Sequence, residues 1–204
     1  MPTRRTLLAS AALLAPLATP FAPFARAQDI EPIMGDVIYG NPDAPVTVIE
    51  YASLTCPHCA AFHRDTFPTI KHEYIDTGMV NFIVREVYFD RFGLWASMVA
   101  RCGGERGFYP MIEQFLVQQR RWTGSEDVAG EIRKVGRLNG LDAATIDACL
   151  NDEDFARSLV ERYQETSEAD GIRSTPSFVI NGEVTSGNLS VQAFSELLDA
   201  ALAS

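Results

Sequence analysis

Positive charge is scarce in this 204-residue sequence: 17 lysines and arginines stand against 27 aspartates and glutamates, a formal net charge of −10. A surface this acidic repels phosphate backbones and anionic lipid, so nucleic acid is excluded as a natural partner. Histidine is scarcer still, with three residues, and cysteine contributes four. The cysteines form a single C-x-x-C spacing, Cys56 to Cys59, with no second pair to complete a zinc ribbon. No repeat or low-complexity segment follows the first residues, which leaves a folded domain rather than an array.

The chain begins with a segment that does not belong to the fold. Arg4 and Arg5 precede an uncharged run from Leu7 to Ala25, which ends at Ala25-Arg26-Ala27. A basic start, an apolar stretch and a small-x-small site read as an export signal cleaved after Ala27. The run is long enough to be weighed as an uncleaved anchor. Pro16, Pro20 and Pro23 argue against a spanning helix, because each removes a backbone donor. Thr3-Arg4-Arg5-Thr6-Leu7-Leu8 fits a twin-arginine signal as well as an ordinary secretory one. Removing 27 of 204 residues leaves 177, enough for one domain with a substantial core. The signal holds three of the 17 basic residues and no acidic one, so 14 face 27 and the net charge becomes −13. Export also places the four cysteines where disulfides persist.

The remaining pattern is α/β. Asn41-Pro42-Asp43-Ala44-Pro45 is a turn signal, and Val46–Tyr51 reads as a buried strand. From Cys59 to Asp76 the spacing is helical, with Cys59, His63, Phe67, Ile70 and Tyr74 on one face, a kink expected at Pro68 and an end at Gly78. Val80–Tyr88 reads as a second strand. Residues from Gly93 to about Asp170 read as helices, with starts at Ser125 to Val128 and at Asp142. Ser177–Ile180 and Glu183–Thr185 flank the turn Asn181-Gly182, and Ser190 caps a final helix to about Leu202. The order implies an α/β layer whose sheet is interrupted in sequence by an inserted helical subdomain.

Cys56-Pro57-His58-Cys59 lies where the first strand hands over to the first helix. Thiol–disulfide exchange needs a thiolate, and a helix N-terminus supplies unpaired N–H groups and partial positive charge that favour one. Cys56 is placed to receive them, Cys59 lies one turn on, and His58 can add a hydrogen bond or positive charge. Stabilising that thiolate stabilises the dithiol and makes the disulfide a stronger electron acceptor. A zinc site with His63 as third ligand is the bland alternative, but no fourth ligand is visible nearby. An inert disulfide is weaker still, because so small a ring restrains little of the unfolded chain.

Together with Glu50, six positions before Cys56, and Gly171-Ile172-Arg173-Ser174-Thr175-Pro176-Ser177-Phe178 followed by Asn181-Gly182, this motif resembles the DsbA type of periplasmic thiol oxidase in the thioredoxin superfamily. The resemblance covers nearly all of the mature chain. It implies a thioredoxin fold with an inserted all-helical subdomain, divided as signal 1–27, first part 28–92, helical insertion 93–170 and second part 171–204. It also implies an exposed attacking Cys56, a shielded resolving Cys59, and Thr175-Pro176 as a cis-proline loop whose backbone pairs with substrate. A depressed cysteine pKa in this family is itself a standard example. Glu50 is either at an edge or a strand end, reaching water, or, as the resemblance implies, buried beneath Cys59 to relay its proton. The implied function is insertion of disulfides into reduced exported proteins, with reoxidation by a DsbB-type quinone-linked membrane oxidase. No cofactor or metal is expected, and the chain is expected to be a monomer. The alternative is an isomerase or reductase on the same fold; the short stretch from Gln28 to Cys56 leaves little room for the dimerisation domain that isomerases carry.

Cys102 and Cys149 both fall in the helical block. A bridge between them closes a long loop, worth on the order of 4 kcal/mol from chain entropy, and is expected to be structural. Free buried thiols and a second redox pair are the alternatives. His63 and His72 read as structural or solvated, and Trp95 and Trp122 as packing residues.

Overall fold

A computed structural model describes residues 31–204, and the expected export segment, 1–27, lies outside the described residues. Five strands form one mixed sheet: β1 (Ile38–Gly40), β2 (Val46–Ala52), β3 (Val80–Glu86), β4 (Ser177–Ile180) and β5 (Glu183–Ser186). Their spatial order is β1-β3-β2-β4-β5. β2 runs parallel to β3 and antiparallel to β4, so it sits at the centre with partners on both sides. A parallel pair needs a crossover, and the chain supplies it with α1 (Pro57–Asp65), α2 (Phe67–Ile70) and a π-helical turn, Lys71–Ile75.

Strand alternation decides what β2 presents. Val46, Val48, Glu50 and Ala52 share one face, and Thr47, Ile49 and Tyr51 the other. Val46, Val48 and Ala52 join the main core with Phe62, Phe67, Phe82, Phe178 and Phe194. The rings of Phe62, Phe178 and Phe194 lie 4.7–5.3 Å apart, a close aromatic cluster over this face. Tyr51 packs on the other face with Val87 and Val179, and its hydroxyl donates to Asp170 Oδ2 at 2.6 Å.

Six helices fill the stretch between β3 and β4: α3 (Arg91–Cys102), α4 (Gly104–Val117), α5 (Gln119–Thr123), α6 (Val128–Leu138), α7 (Ala143–Leu150) and α8 (Glu153–Ala169). The last helix, α9 (Val191–Leu202), is capped by Ser190, whose hydroxyl accepts from Ala193 N. Cys102, at the end of α3, is bonded to Cys149 of α7. Arg101 forms a buried ion pair with Glu86 of β3, its Nε donating to Glu86 Oε1 at 2.8 Å. The same guanidinium donates to the carbonyls of Ile33 and Gly35 and so fixes the segment before β1.

Several local expectations need correction. The helix expected from Cys59 to Asp76 with a kink at Pro68 starts earlier, at Pro57, and breaks at Thr66 rather than at the proline. Pro68 has no N–H for the carbonyl of Arg64 and its ring clashes there, so the disruption falls within the turn that precedes the proline. The chain then changes to i→i+5 bonding, with Asp76 N donating to Lys71 O. The helix start expected at Ser125 belongs to Asp127, whose carboxylate accepts from Gly130 N. β1 was not expected at all. It ends at Gly40, with φ of +104°, where a Cβ would lie 2.7 Å from Ile75 Cγ2.

Candidate active site

The C-terminal end of β2 delivers the chain to Ser53-Leu54-Thr55 and then to Cys56, the N-cap of α1. Pro57 occupies the first helical position, where its missing N–H costs nothing and its fixed φ suits the helix. The Cys56 sulfur lies at the open N-terminus of α1, facing the backbone N–H groups of His58 and Cys59. Three contacts brace this corner. Thr55 Oγ1 donates to Asp90 Oδ2 at 2.7 Å, and Asp90 also caps α3. Buried Gln119 of α5 donates from Nε2 to the carbonyls of Leu54 at 2.8 Å and Cys56 at 2.9 Å. From the far end of the sequence, Thr175 brings its carbonyl to 3.5 Å from Cys56 Sγ, and the Thr175–Pro176 peptide is cis.

Cys56 and Cys59 are free thiols in this structure. Their surroundings treat the two sulfurs oppositely. The Cys59 thiol donates to Cys56, and with further donation from the backbone N–H groups of Cys59 and His58 this brings Cys56 down to about 5, against the opposing effect of its burial. Cys59 is pushed far up, first by burial, then by its bond to Cys56 and the charge of Glu50. At neutral pH the pair therefore holds one thiolate, on Cys56, and one thiol, on Cys59.

Two expectations about these residues change. Cys56 is less open than the resemblance implies: 7% of its surface reaches solvent, against none for Cys59. The carbonyl of Thr175, 3.5 Å from the sulfur, is one of the groups packed against it. His58 acts on Cys56 through its backbone N–H, while its ring is exposed to solvent.

Glu50 is fully buried and lies in mid-strand, opposite Val84 on one side and Phe178 on the other, so the edge alternative does not hold. Its Oε2 shares a hydrogen bond of 2.6 Å with His63 Nε2. His63 belongs to the buried face of α1, four residues after Cys59, and is not a solvated residue. His72 is exposed. Trp122 is buried and its Nε1 donates to Phe115 O at 2.7 Å, whereas Trp95 is half-buried at the start of α3.

Sequence reasoning missed Gln119 and the Glu50–His63 contact. Gln119 carries no local signal, being one glutamine in a helical stretch. The second contact had one: His63 shares a helix face with Cys59, and Glu50 is the one ionisable carboxylate within the strand opposite.

These features define a dithiol centre at a helix N-terminus, mounted on a mixed α/β sheet and faced by a cis-proline loop. The thioredoxin family model matches residues 33–200, and the chain belongs to that family. The crystal structure of α-DsbA1 from Wolbachia pipientis superposes with a TM-score of 0.77 at 29% identity, covering 84% of this chain and 93% of that one. Oxidised BdbD from Bacillus subtilis gives a TM-score of 0.75 at 26% identity, covering 87% and 99%. A Rickettsia conorii protein provisionally named a protein-disulfide oxidoreductase is 34% identical over 168 residues, 82% of this chain. The match spans 60% of the length of that relative. Within the superfamily the chain is of the DsbA type, and the helical block between β3 and β4 is the insertion that type carries.

Proposed function

We propose that the protein is an exported dithiol oxidase that introduces disulfide bonds into reduced proteins in the periplasm. The observation that carries this reading is the unequal treatment of the two sulfurs, with Cys56 at about 5 and Cys59 pushed far up. A disulfide whose reduced form is stabilised accepts electrons readily. Each unit by which Cys56 lies below ambient pH contributes about 30 mV towards oxidising power.

A substrate thiolate attacks Cys56 Sγ, a substrate–Cys56 bond forms as the Cys56–Cys59 bond breaks, and the electron pair leaves on Cys59. Cys59 is buried and becomes a thiol, with Glu50 beneath it to relay the proton. A second substrate thiolate then attacks the substrate sulfur of the mixed disulfide. Its disulfide forms and Cys56 departs as a thiolate, a good leaving group because of its acidity. Thr175 holds its backbone beside Cys56, where an extended substrate segment can pair with it irrespective of sequence. Electrons pass between sulfur atoms throughout, so the reaction needs no cofactor. Reoxidation falls to a DsbB-type quinone-linked membrane oxidase, and the enzyme acts as a monomer after cleavage near Ala27.

The test is the equilibrium of the Cys56/Cys59 pair with glutathione, read by alkylation and mass. A pair substantially reduced in a mildly oxidising glutathione buffer supports the oxidase. A pair that stays oxidised there, as thioredoxin does, overturns it in favour of a reductase. Faster reactivation of a scrambled substrate than of a reduced one would favour an isomerase.

A further inference from the structure

Beneath the dithiol lies a buried polar pair that the steps above do not use in full. Glu50 is 0% and His63 3% exposed, and they meet at 2.6 Å through Oε2 and Nε2. Glu50 Oε1 and His63 Nδ1 are also buried and have no hydrogen-bond partner among the described residues. A carboxylate and an imidazole in an apolar core, each left with one unpaired polar atom, are costly to keep for packing alone. The apolar surroundings are the ring of Phe67, 4.6 Å from that of His63, and Phe62 at its edge. The titratable groups that sense Glu50 from the packed elements are Cys59 on α1 and Tyr109 on α4. Tyr109 has its hydroxyl committed to the carbonyls of Val37 and Phe82, which leaves Cys59 as the group available for proton exchange.

Cys59 and His63, four residues apart on α1, stand on the same helix face, and Glu50 projects at them from β2. We propose that His63 is a positioning residue that makes Glu50 and itself a single proton store for Cys59. The inference rests on the oxidoreductase reading above and deepens it. Held through Oε2, the carboxylate keeps Oε1 as the oxygen through which a proton passes. When the Cys56–Cys59 bond breaks and the electron pair leaves on Cys59 Sγ, the pair gives up its proton to that sulfur. It is then a carboxylate beside a neutral imidazole. On reoxidation Cys56 attacks the disulfide of the oxidising partner, and Cys59 returns its proton to the pair. The Cys59 thiolate then attacks Cys56 Sγ and expels the partner's thiolate. One proton thus shuttles over one helical turn in each cycle, and none has to cross the core.

The direct test is ¹⁵N NMR of the histidine rings in the oxidised and the reduced wild-type protein. The His63 ring nitrogens should shift between the two states as the pair loses its proton, while those of exposed His72 stay fixed. A companion kinetic measurement follows reduction by a thiol peptide between pH 6 and 9 in His63→Gln, with rates normalised to peptide thiolate. That rate should fall on the order of tenfold to a hundredfold at pH 7 with an altered pH profile. His63 resonances identical in both redox states, or a pH profile in His63→Gln identical to wild type, would overturn the proposal. The NMR comparison needs no variant, so a poorly folding His63→Gln does not block the test. Failure of the oxidase reading is separately visible in the glutathione equilibrium of the wild type.

Discussion

Titrating one sulfur should reverse which redox form of the protein is harder to unfold. Cys56 in the folded reduced protein lies at about 5, against 9.0 for an unperturbed thiol. A group depressed in the folded state stabilises that state fully above its unfolded value and loses the effect as pH falls through its folded value. Four units correspond to about 5 kcal/mol above pH 9, about 3 kcal/mol remains at pH 7, and almost nothing remains at pH 4. Opposing this, closing the four-residue ring from Cys56 to Cys59 restrains the unfolded chain and favours the oxidised form by on the order of 2 kcal/mol. The two effects balance between about pH 6 and pH 7. Equilibrium denaturation of both forms, with the Cys102–Cys149 bridge kept intact, should find the reduced protein more stable at pH 8 and the oxidised one more stable at pH 4. Thiolate absorbance in the ultraviolet, followed over the same range, should vanish with a midpoint near 5. An oxidised form that is more stable at every pH from 4 to 9 would show that the corner does not hold Cys56 as an anion, and the proposed driving force would go with it.

Three substitutions probe other parts of the structure. Glu50→Gln should leave the fold intact but slow the steps in which Cys59 gains or loses its proton, by about tenfold to a hundredfold in quenched-flow alkylation. Gln119→Ala strips the carbonyls of Leu54 and Cys56 of their donor. It should cost about 1–3 kcal/mol in urea unfolding and raise the Cys56 midpoint, as the cap loosens. Arg101→Ala leaves Glu86 buried without its partner and should cost about 3–5 kcal/mol, while the acidity of Cys56 in the still-folded protein is unchanged.

Much of this site was legible because its chemistry is local. Cys56, Pro57 and Cys59 fall within one helical turn, and the apolar run before them can only be a covered strand, so strand, cap and dithiol follow from a dozen residues. The hairpin at Asn181-Gly182 and the cap at Asp142 were equally local. What escaped depends on which surfaces meet. Glu50 reads as edge or core until β4 is known to pair with β2. His63 reads as ordinary until α1 is laid over β2, and the partial closure of Cys56 needs the loop of Thr175, far along the chain. β1, three residues long, has no alternation to detect. At Ser125 and Asp127, two capping residues stand two apart, and the helix opens at the second.

The bracing of the dithiol corner has a consequence for the life of the molecule. Its parts come from widely spaced points: Asp90 and Gln119 lie in the helical block, and Thr175 follows Cys56 by 119 residues. A chain emerging amino end first therefore carries both sulfurs for most of its synthesis without the contacts that sharpen them. Until the last stretch has docked, the two sulfurs have each other and the start of α1 but lack Thr175 beside them, and the site is incomplete. The reactive state is a property of the finished molecule, and completion itself acts as the safety catch.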